Sequence, residues 1–295
     1  MELLKRNIHM DRVRAEAVTQ ITLEDDVNVS ENKPDVSALN LEKAEVIIEE
    51  IKPGTDTVTV RGHLAYVILY HTAEEGSSLV VLEGKLPLEE KMHLQDAVPS
   101  DTVVLECDVE DLTVSMINSR KLNIQSLVTL TAKVEELYDE EAPIAIHGDE
   151  TVEYRRMPLE LAQIAICKND IFRLKDEIML PSNYPNIFQI LWNNISLADV
   201  EFKVMEEKLT ISGDVRLFLL YEGEGEDHPI RSFETTLPFS GVLECHGCRE
   251  GMLPDIRYHL GQQELAVRPD FDGEERSIGM ELVIDIAIRI YEEEK

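Results

Sequence analysis

Alternation with a period of two runs through most of this chain. Between Val58 and Tyr70 one face of an extended segment carries Val58, Val60, Leu64, Tyr66, Ile68 and Tyr70, while the other face begins polar and turns apolar. Leu209, Ile211, Val215, Leu217, Leu219 and Tyr221 repeat that stripe further along. Leu282, Ile284, Ile286, Ile288 and Ile290 alternate against Asp285, Ala287 and Arg289, as Leu122, Ile124, Val128, Leu130 and Val134 do against Asn123, Gln125, Thr129, Lys133 and Glu135. These patterns predict strands with one buried face. Val103, Leu105, Cys107 and Val109 form another such face, and the phase slips at Glu110-Asp111 before resuming at Leu112, Val114 and Met116, as a β-bulge would make it do. Gly62 and Gly213 sit mid-strand and predict a bulge or the close approach of another backbone. Glu160 to Cys167 reads as strand, with Ile164 and Ile166 in alternation. Helix is expected only after Pro34 and Pro185, where Asp35 or Asn186 could cap a turn or two ending near Leu39 or Leu191.

The stripes recur because the chain repeats itself. A shift of 151 places Asp25, Pro34, Glu50, Lys52, Thr59, Gly62, Leu69, Tyr70, Glu83, Leu86 and Pro87 on Asp176, Pro185, Glu201, Lys203, Thr210, Gly213, Leu220, Tyr221, Glu234, Leu237 and Pro238. Beyond Leu88 the copies are expected to drift, with Asn118-Ser119-Arg120 answering to Asp272-Gly273-Glu274-Glu275-Arg276. A unit this long is a duplicated globular domain rather than a solenoid repeat. Short strands, frequent turn signals and little helix predict an all-β fold of two tandem, homologous, jelly-roll-like β-sandwich domains, 1–148 and 149–295. The acidic stretch Asp139 to Asp149 is expected to be a turn-rich linker between them.

Composition narrows the partners. The 295 residues suffice for two cores, and 59 acidic against 28 basic residues give a formal charge of -31, a field that repels phosphate backbones and anionic headgroups. Nucleic acid and membrane insertion are therefore not expected. No segment has the run of apolar residues that a membrane helix or a signal peptide needs, so a cytoplasmic location is expected. Four cysteines are too few for a disulfide scaffold, and all four are expected as thiols.

Catalytic motifs are not evident. Cys245-His246-Gly247-Cys248 has a spacing that lets two thiolates share a metal or form a redox pair, but it stands alone, and Cys245 and Cys248 are expected to be accessible loop thiols; Cys107 is expected to be buried. Asp270-Phe271-Asp272-Gly273-Glu274-Glu275 clusters carboxylates without the spacing of a calcium loop, and Asp-Gly there predicts a type I′ hairpin turn. There is no Gly-x-Ser-x-Gly, no phosphate loop and no His-Glu-x-x-His, and Trp192 with Phe188 and Leu191 is read as a core anchor. No catalytic, cofactor or metal residue is assigned.

Several segments carry a resemblance. Glu177-Ile178-Met179-Leu180-Pro181-Ser182-Asn183-Tyr184-Pro185-Asn186-Ile187, the strand Gly213 to Tyr221, Leu237-Pro238-Phe239-Ser240-Gly241 and Pro269 to Arg276 together resemble the SPOCS domain family, named for spore coat and SipL. The first copy shows the same layout from Val27 to Val36 onward, and Met1 to Met10 resembles the start of its SipL-like members. The resemblance implies a non-catalytic scaffold in endospore coat assembly, in the mother-cell cytosol at the forespore surface, with spore coat morphogenetic proteins as partners. In the family a LysM module engages the stage IV sporulation ATPase. No Tyr-x-Val-x-x-Gly-Asp-Thr signature of that module is present, and Glu292-Glu293-Glu294-Lys295 directly follows a closing strand, so the sequence is expected to be the N-terminal tandem of a longer protein. The alternative expectation is a carbohydrate- or peptidoglycan-binding module of the spore envelope.

Overall fold

The computed structural model describes residues 2–72, 79–147, 153, 155, 157–225 and 227–294. Their regular elements are all strands. The first copy contains β1 (Glu2–Asn28), β2 (Val36–Gly54), β3 (Thr57–Thr72), β4 (Leu79–His93), β5 (Val103–Asn118) and β6 (Lys121–His147). The second contains β7 (Leu161–Met179), β8 (Ile187–Met205), β9 (Lys208–Gly223), β10 (Ile230–Glu244), β11 (Leu253–Pro269) and β12 (Glu275–Glu294).

Each copy forms two three-stranded sheets with one connectivity. In the first, β2-β3-β4 is a meander, and β1-β6-β5 places the last strand between the first and the fifth. The second repeats this as β10-β9-β8 and β11-β12-β7. The central strands carry the predicted stripes. Val58, Val60, Leu64, Tyr66, Ile68 and Tyr70 of β3 share one buried cluster with Leu122, Ile124, Val128, Leu130 and Val134 of β6. The stripe of β9 does the same with Ile278, Met280, Leu282, Ile284, Ile286, Ile288 and Ile290 of β12. Two inner faces with alternating apolar positions thus enclose one core per copy, the arrangement that all-β chains use to hide one side of each sheet.

The duplication runs deeper than the alignment of identical residues. The register of β5 on β6 shifts between Val109 and Asp111, and that of β11 on β12 between Leu260 and Gln263, again 151 residues on. Ser126, buried within the β6 stripe, donates to the carbonyl of Asp111 at this bulge at 2.9 Å, which satisfies a group that the ladder leaves free. The offset of 151 therefore holds to the end of β5 and β11 rather than failing after Leu88. It then changes once, by the five residues Asp270 to Glu274 between β11 and β12, so that Arg120 answers to Arg276 and Leu122 to Ile278.

Gly62 and Gly213 meet the expectation of close backbone approach. The bulge lies in the neighbouring strand: β2 shifts register between Ile48 and Glu50 opposite Gly62, and a Cβ at Gly62 would be driven into the carbonyl of Ile47. At Gly213 the bulge of β8 between Ala198 and Glu201 brings the Ala198 carbonyl to 3.1 Å of the same imaginary atom.

Two expectations are overturned. The segments after Pro34 and Pro185 are strands, not helical turns, because the side chains expected to cap them are engaged elsewhere: Asp35 accepts from Ser119 and Arg120, and Asn186 from Arg276. The stretch expected as a turn-rich linker is strand as far as His147, and its last two positions, Gly148 and Asp149, lie outside the described residues. Residues 2–10 of β1 and 139–147 of β6 prolong these strands beyond their counterparts in β7 and β12, with Lys5 on Glu141 at 2.6 Å and His9 on Asp139 at 2.6 Å. By its contacts the chain divides into Asp11–Leu137 and a second unit of Met1–Met10 with Tyr138–Lys295; within the latter the amide of His9 donates to Gln163 at 3.4 Å.

Gly62→Val should lower the urea midpoint of unfolding at unchanged m-value, by a destabilisation of about 1–3 kcal/mol, because backbone must move to admit the side chain. Gly213→Val should cost less, since two of the three nearest atoms belong to the Phe239 ring. Equal effects at the two sites would contradict this reading.

Candidate functional site

The connection between β1 and β2 turns through Val29 to Asp35, and its carbonyls need partners. One side chain supplies most of them. Arg120, in the two-residue turn between β5 and β6, donates through Nη1 to the carbonyl of Lys33 at 2.6 Å and to Asp35 at 3.1 Å, and through Nη2 to the carbonyls of Ser30 at 2.9 Å and Val29 at 3.2 Å. Only a planar fork with several fixed N–H groups can serve so many acceptors at once. From below, the buried hydroxyl of Tyr70 donates to the carbonyl of Pro34 at 3.0 Å. The amides of Val29 and Val36 donate to the carbonyls of Arg120 and Ser119, both at 2.9 Å, and complete the latch.

The second copy builds the same latch from the same positions. Arg276 donates to the carbonyl of Pro181 at 2.6 Å and to Asn186 at 3.2 Å, Tyr221 donates to the carbonyl of Pro185 at 3.2 Å, and the amide of Leu180 donates to the carbonyl of Arg276 at 3.0 Å. Burial pushes the Tyr70 and Tyr221 hydroxyls up from the ordinary phenol value, which keeps them protonated as donors.

The Cys245-Cys248 turn departs from expectation. Both cysteines are fully buried and joined as a disulfide, not exposed as loop thiols. Their counterparts explain the burial: at the offset of 151 they fall on Leu94 and Ala97, which are buried in the first copy. The two turns share their hydrogen bonds. Leu94 donates to the carbonyl of Asp56 and Asp56 to that of Ala97, as Cys245 donates to the carbonyl of Glu207 and Glu207 to that of Cys248. Asp56 and Glu207 both have positive φ, as do Asp96 and Gly247. The carboxylate of Glu207 accepts from the amide of Gly247 at 3.1 Å, and that bond, with His246, holds its carboxyl below the usual range. Aligning the turn with Leu94 and Ala97 was the signal that could have shown these side chains to point inward. Cys107 is half-buried against the core, and burial, with Asp108 adding, pushes its thiol up to about 11; Cys167 is exposed.

The remaining motifs resolve into structure. The Oδ1 of Asp270 accepts the amides of Asp272 and Glu274, at 2.9 and 3.0 Å, so that carboxylate shapes a turn. Only Gly273 has positive φ there, which excludes the expected type I′ geometry at Asp272-Gly273. Leu191 is buried, Trp192 half-buried, and Phe188 exposed beside His228 at a ring separation of 5.1 Å, so Phe188 is not the core anchor expected. Among the described residues no three His, Cys, Asp or Glu side chains gather as metal ligands would. A shallow groove of about 100 Å³ beside the β11 bulge is lined by Lys175, Gln262, Glu264 and Glu281, and Lys175 is spent on Glu281 at 2.8 Å. It is too small and too polar to enclose an organic substrate.

Arg120→Lys should destabilise the protein by about 1–3 kcal/mol, because one ammonium cannot replace the fork and buried carbonyls are left unpaired. Urea unfolding checks this, and an unchanged midpoint would remove the latch from the argument. Alkylation of native, non-reduced protein should modify Cys167 quickly, Cys107 slowly, and Cys245 and Cys248 only after a reductant is added. Mass spectrometry of the labelled peptides reads all four positions; prompt labelling of Cys245 would contradict the buried disulfide.

No helix among the described residues is long and apolar enough to cross a membrane. No curated protein and no solved structure matches the chain. The family model described as SipL, SPOCS domain matches residues 35–117 and again 186–266, once in each copy. The two matches start at Asp35 and Asn186, the residues that the latch arginines grip. That family is one of structural domains connected with sporulation. With both copies matched over more than half of its length, the chain belongs to the SipL SPOCS-domain family.

Proposed function

We propose that this protein is a non-catalytic scaffold of the bacterial endospore coat, working in the mother-cell cytosol at the forespore surface through its two domains. The observation that carries this reading is the family match on both copies, joined to a fold in which the polar clusters serve the architecture. Guanidinium and hydroxyl groups that a catalyst would leave free are spent on loop carbonyls.

The edges of the sheets bear on how such a scaffold makes contacts. Pro87 interrupts the outer strand β4, and Pro238 interrupts β10 at the equivalent place; proline has no N–H to offer an incoming strand. The opposite edge strands, β2 and β8, each carry three register shifts. Edges broken in this way resist strand addition by like chains. The formal charge of -31 adds repulsion between copies at low salt. Contacts through side chains with less acidic coat components, the stage IV sporulation ATPase among them, fit these constraints better than homopolymerisation through backbone.

Sedimentation at low and high salt, with and without the purified ATPase, tests the proposal. The protein alone should stay monomeric or form a small oligomer, and its binding to a coat component should weaken as salt rises. Large homopolymers at low salt, or partner binding indifferent to salt, would overturn it.

A further inference from the structure

The two copies act as controls for each other. What both share serves the fold; what one alone carries is free for another use. Around the latch the copies diverge in one direction. Each of the segments that Arg276 ties together bears an exposed, large apolar side chain. Met179, at the end of β7, is 52 % exposed; Phe188, at the start of β8, is 59 % exposed; Phe271, on the turn between β11 and β12, is fully exposed. Arg276 bonds the carbonyl of Pro181 and the side chain of Asn186 and closes the turn that carries Phe271, so the three residues lie at one end of the domain.

At the matching positions the first copy is polar, although its β5 carries exposed Met116 and Ile117 near its end. Asn28 stands in place of Met179 and Ser37 in place of Phe188, both exposed, and Phe271 belongs to the five residues without a counterpart. Lys33 and Lys121 occupy the positions of Tyr184 and Ser277; Lys121 pairs with Asp26 at 2.8 Å, where the second copy has Ser277 on Glu177. At these positions the second copy has exchanged polar groups and two lysines for apolar surface, while Arg268 takes the place of exposed Ile117 and Arg231 that of Val80. Phe271 adds nothing to the core, since its ring is as wet as in the unfolded chain. The turn under Phe271 is also built to hold its shape: Asp270 caps two amides, its own amide donates to the carbonyl of Glu274 at 2.7 Å, and Gly273 at φ 86° donates back to the carbonyl of Asp270 at 3.1 Å. Around this end exposed Asp272, Glu274, Glu224 and Asp227 outnumber exposed Arg231 and Arg268.

We propose that Met179, Phe188 and Phe271 form a docking surface on the second domain for a protein partner whose apolar contact residues are ringed by Lys and Arg. An anchor aromatic on a pre-shaped turn contributes contact area at little entropic cost, and the acidic rim selects a basic partner and repels acidic ones, including other copies of this chain. The inference gives the scaffold reading a location and a partner chemistry; the surface itself is tested apart from sporulation.

The experiment measures fluorescence anisotropy of a short labelled peptide of alternating Lys and Leu, and of its Lys and Ser counterpart of equal charge, against the whole chain. The native protein should bind the Lys/Leu peptide about tenfold more tightly than the Lys/Ser peptide. A triple variant, Met179→Asn, Phe188→Ser and Phe271→Ser, takes the first copy's residues at 179 and 188, removes the inserted ring, keeps every charge, and should lose that preference while binding the Lys/Ser peptide as before. Val242→Ser, which removes an exposed apolar residue at the other end of β9 and β10, should leave the preference intact. No preference in the native protein, its survival in the triple variant at an unchanged unfolding midpoint, or its equal loss in Val242→Ser would overturn the proposal. A preference that behaves as expected beside failed association with coat components would sink the scaffold reading and leave the surface standing.

Discussion

The fold of each copy depends on one guanidinium. A strand that leaves one sheet and enters the other must turn, and the turn from Val29 to Asp35 has no ladder to satisfy its carbonyls. Arg120 reaches them from the β5–β6 turn and so fixes where β1 ends, where β2 begins and how the two sheets stand across the core. Arg276 does the same between Leu180 and Asn186. Tyr70 and Tyr221 brace each turn from the apolar side, with the phenol ring in the core and the hydroxyl on a proline carbonyl.

Much of this could be read in the chain because sandwich sheets expose their period. The central strands β3, β6, β9 and β12 are buried on one face along their whole stripe, and the stripe needs no knowledge of partners. The slip at Glu110-Asp111 announced a bulge, and Gly62 and Gly213 announced close backbone. What could not be read was set by neighbours distant in sequence. Nothing in Asp35 tells that its carboxylate will be occupied by Arg120 and Ser119 rather than cap a helix. β1 was invisible for a related reason: most of Glu2 to Arg12 is exposed, and pairing with β6, not an apolar stripe, makes it a strand. Cys245 and Cys248 looked like a surface motif because their spacing was read by itself. Placed on Leu94 and Ala97, they are two core positions bridged by sulfur.

Duplication frees one copy to change where the other still holds the template. The five residues between β11 and β12 were accommodated without disturbing the latch or the stripe of β12, since Arg276 and Ile278 keep the roles of Arg120 and Leu122. Divergence at that end is therefore uncoupled from the core, and the surface there can follow a partner while the fold stays the same.

The placement of β6 between β1 and β5 also sets a kinetic problem during synthesis. β1 emerges first but finds its neighbour only when residues 121–147 have been made, and soon afterwards β7 emerges as a homologous rival for the same slot. Charges at the seam distinguish the two strands. Arg12 and Arg14 of β1 meet Glu136 of β6, whereas β7 offers Gln163 and Ala165 at those positions; Glu177 keeps the carboxylate with which Asp26 meets Lys121, so that pair does not discriminate. Discrimination between the homologous halves thus draws on two arginines near the start of the chain, and a nascent chain that lost them would be more exposed to strand exchange between its own domains.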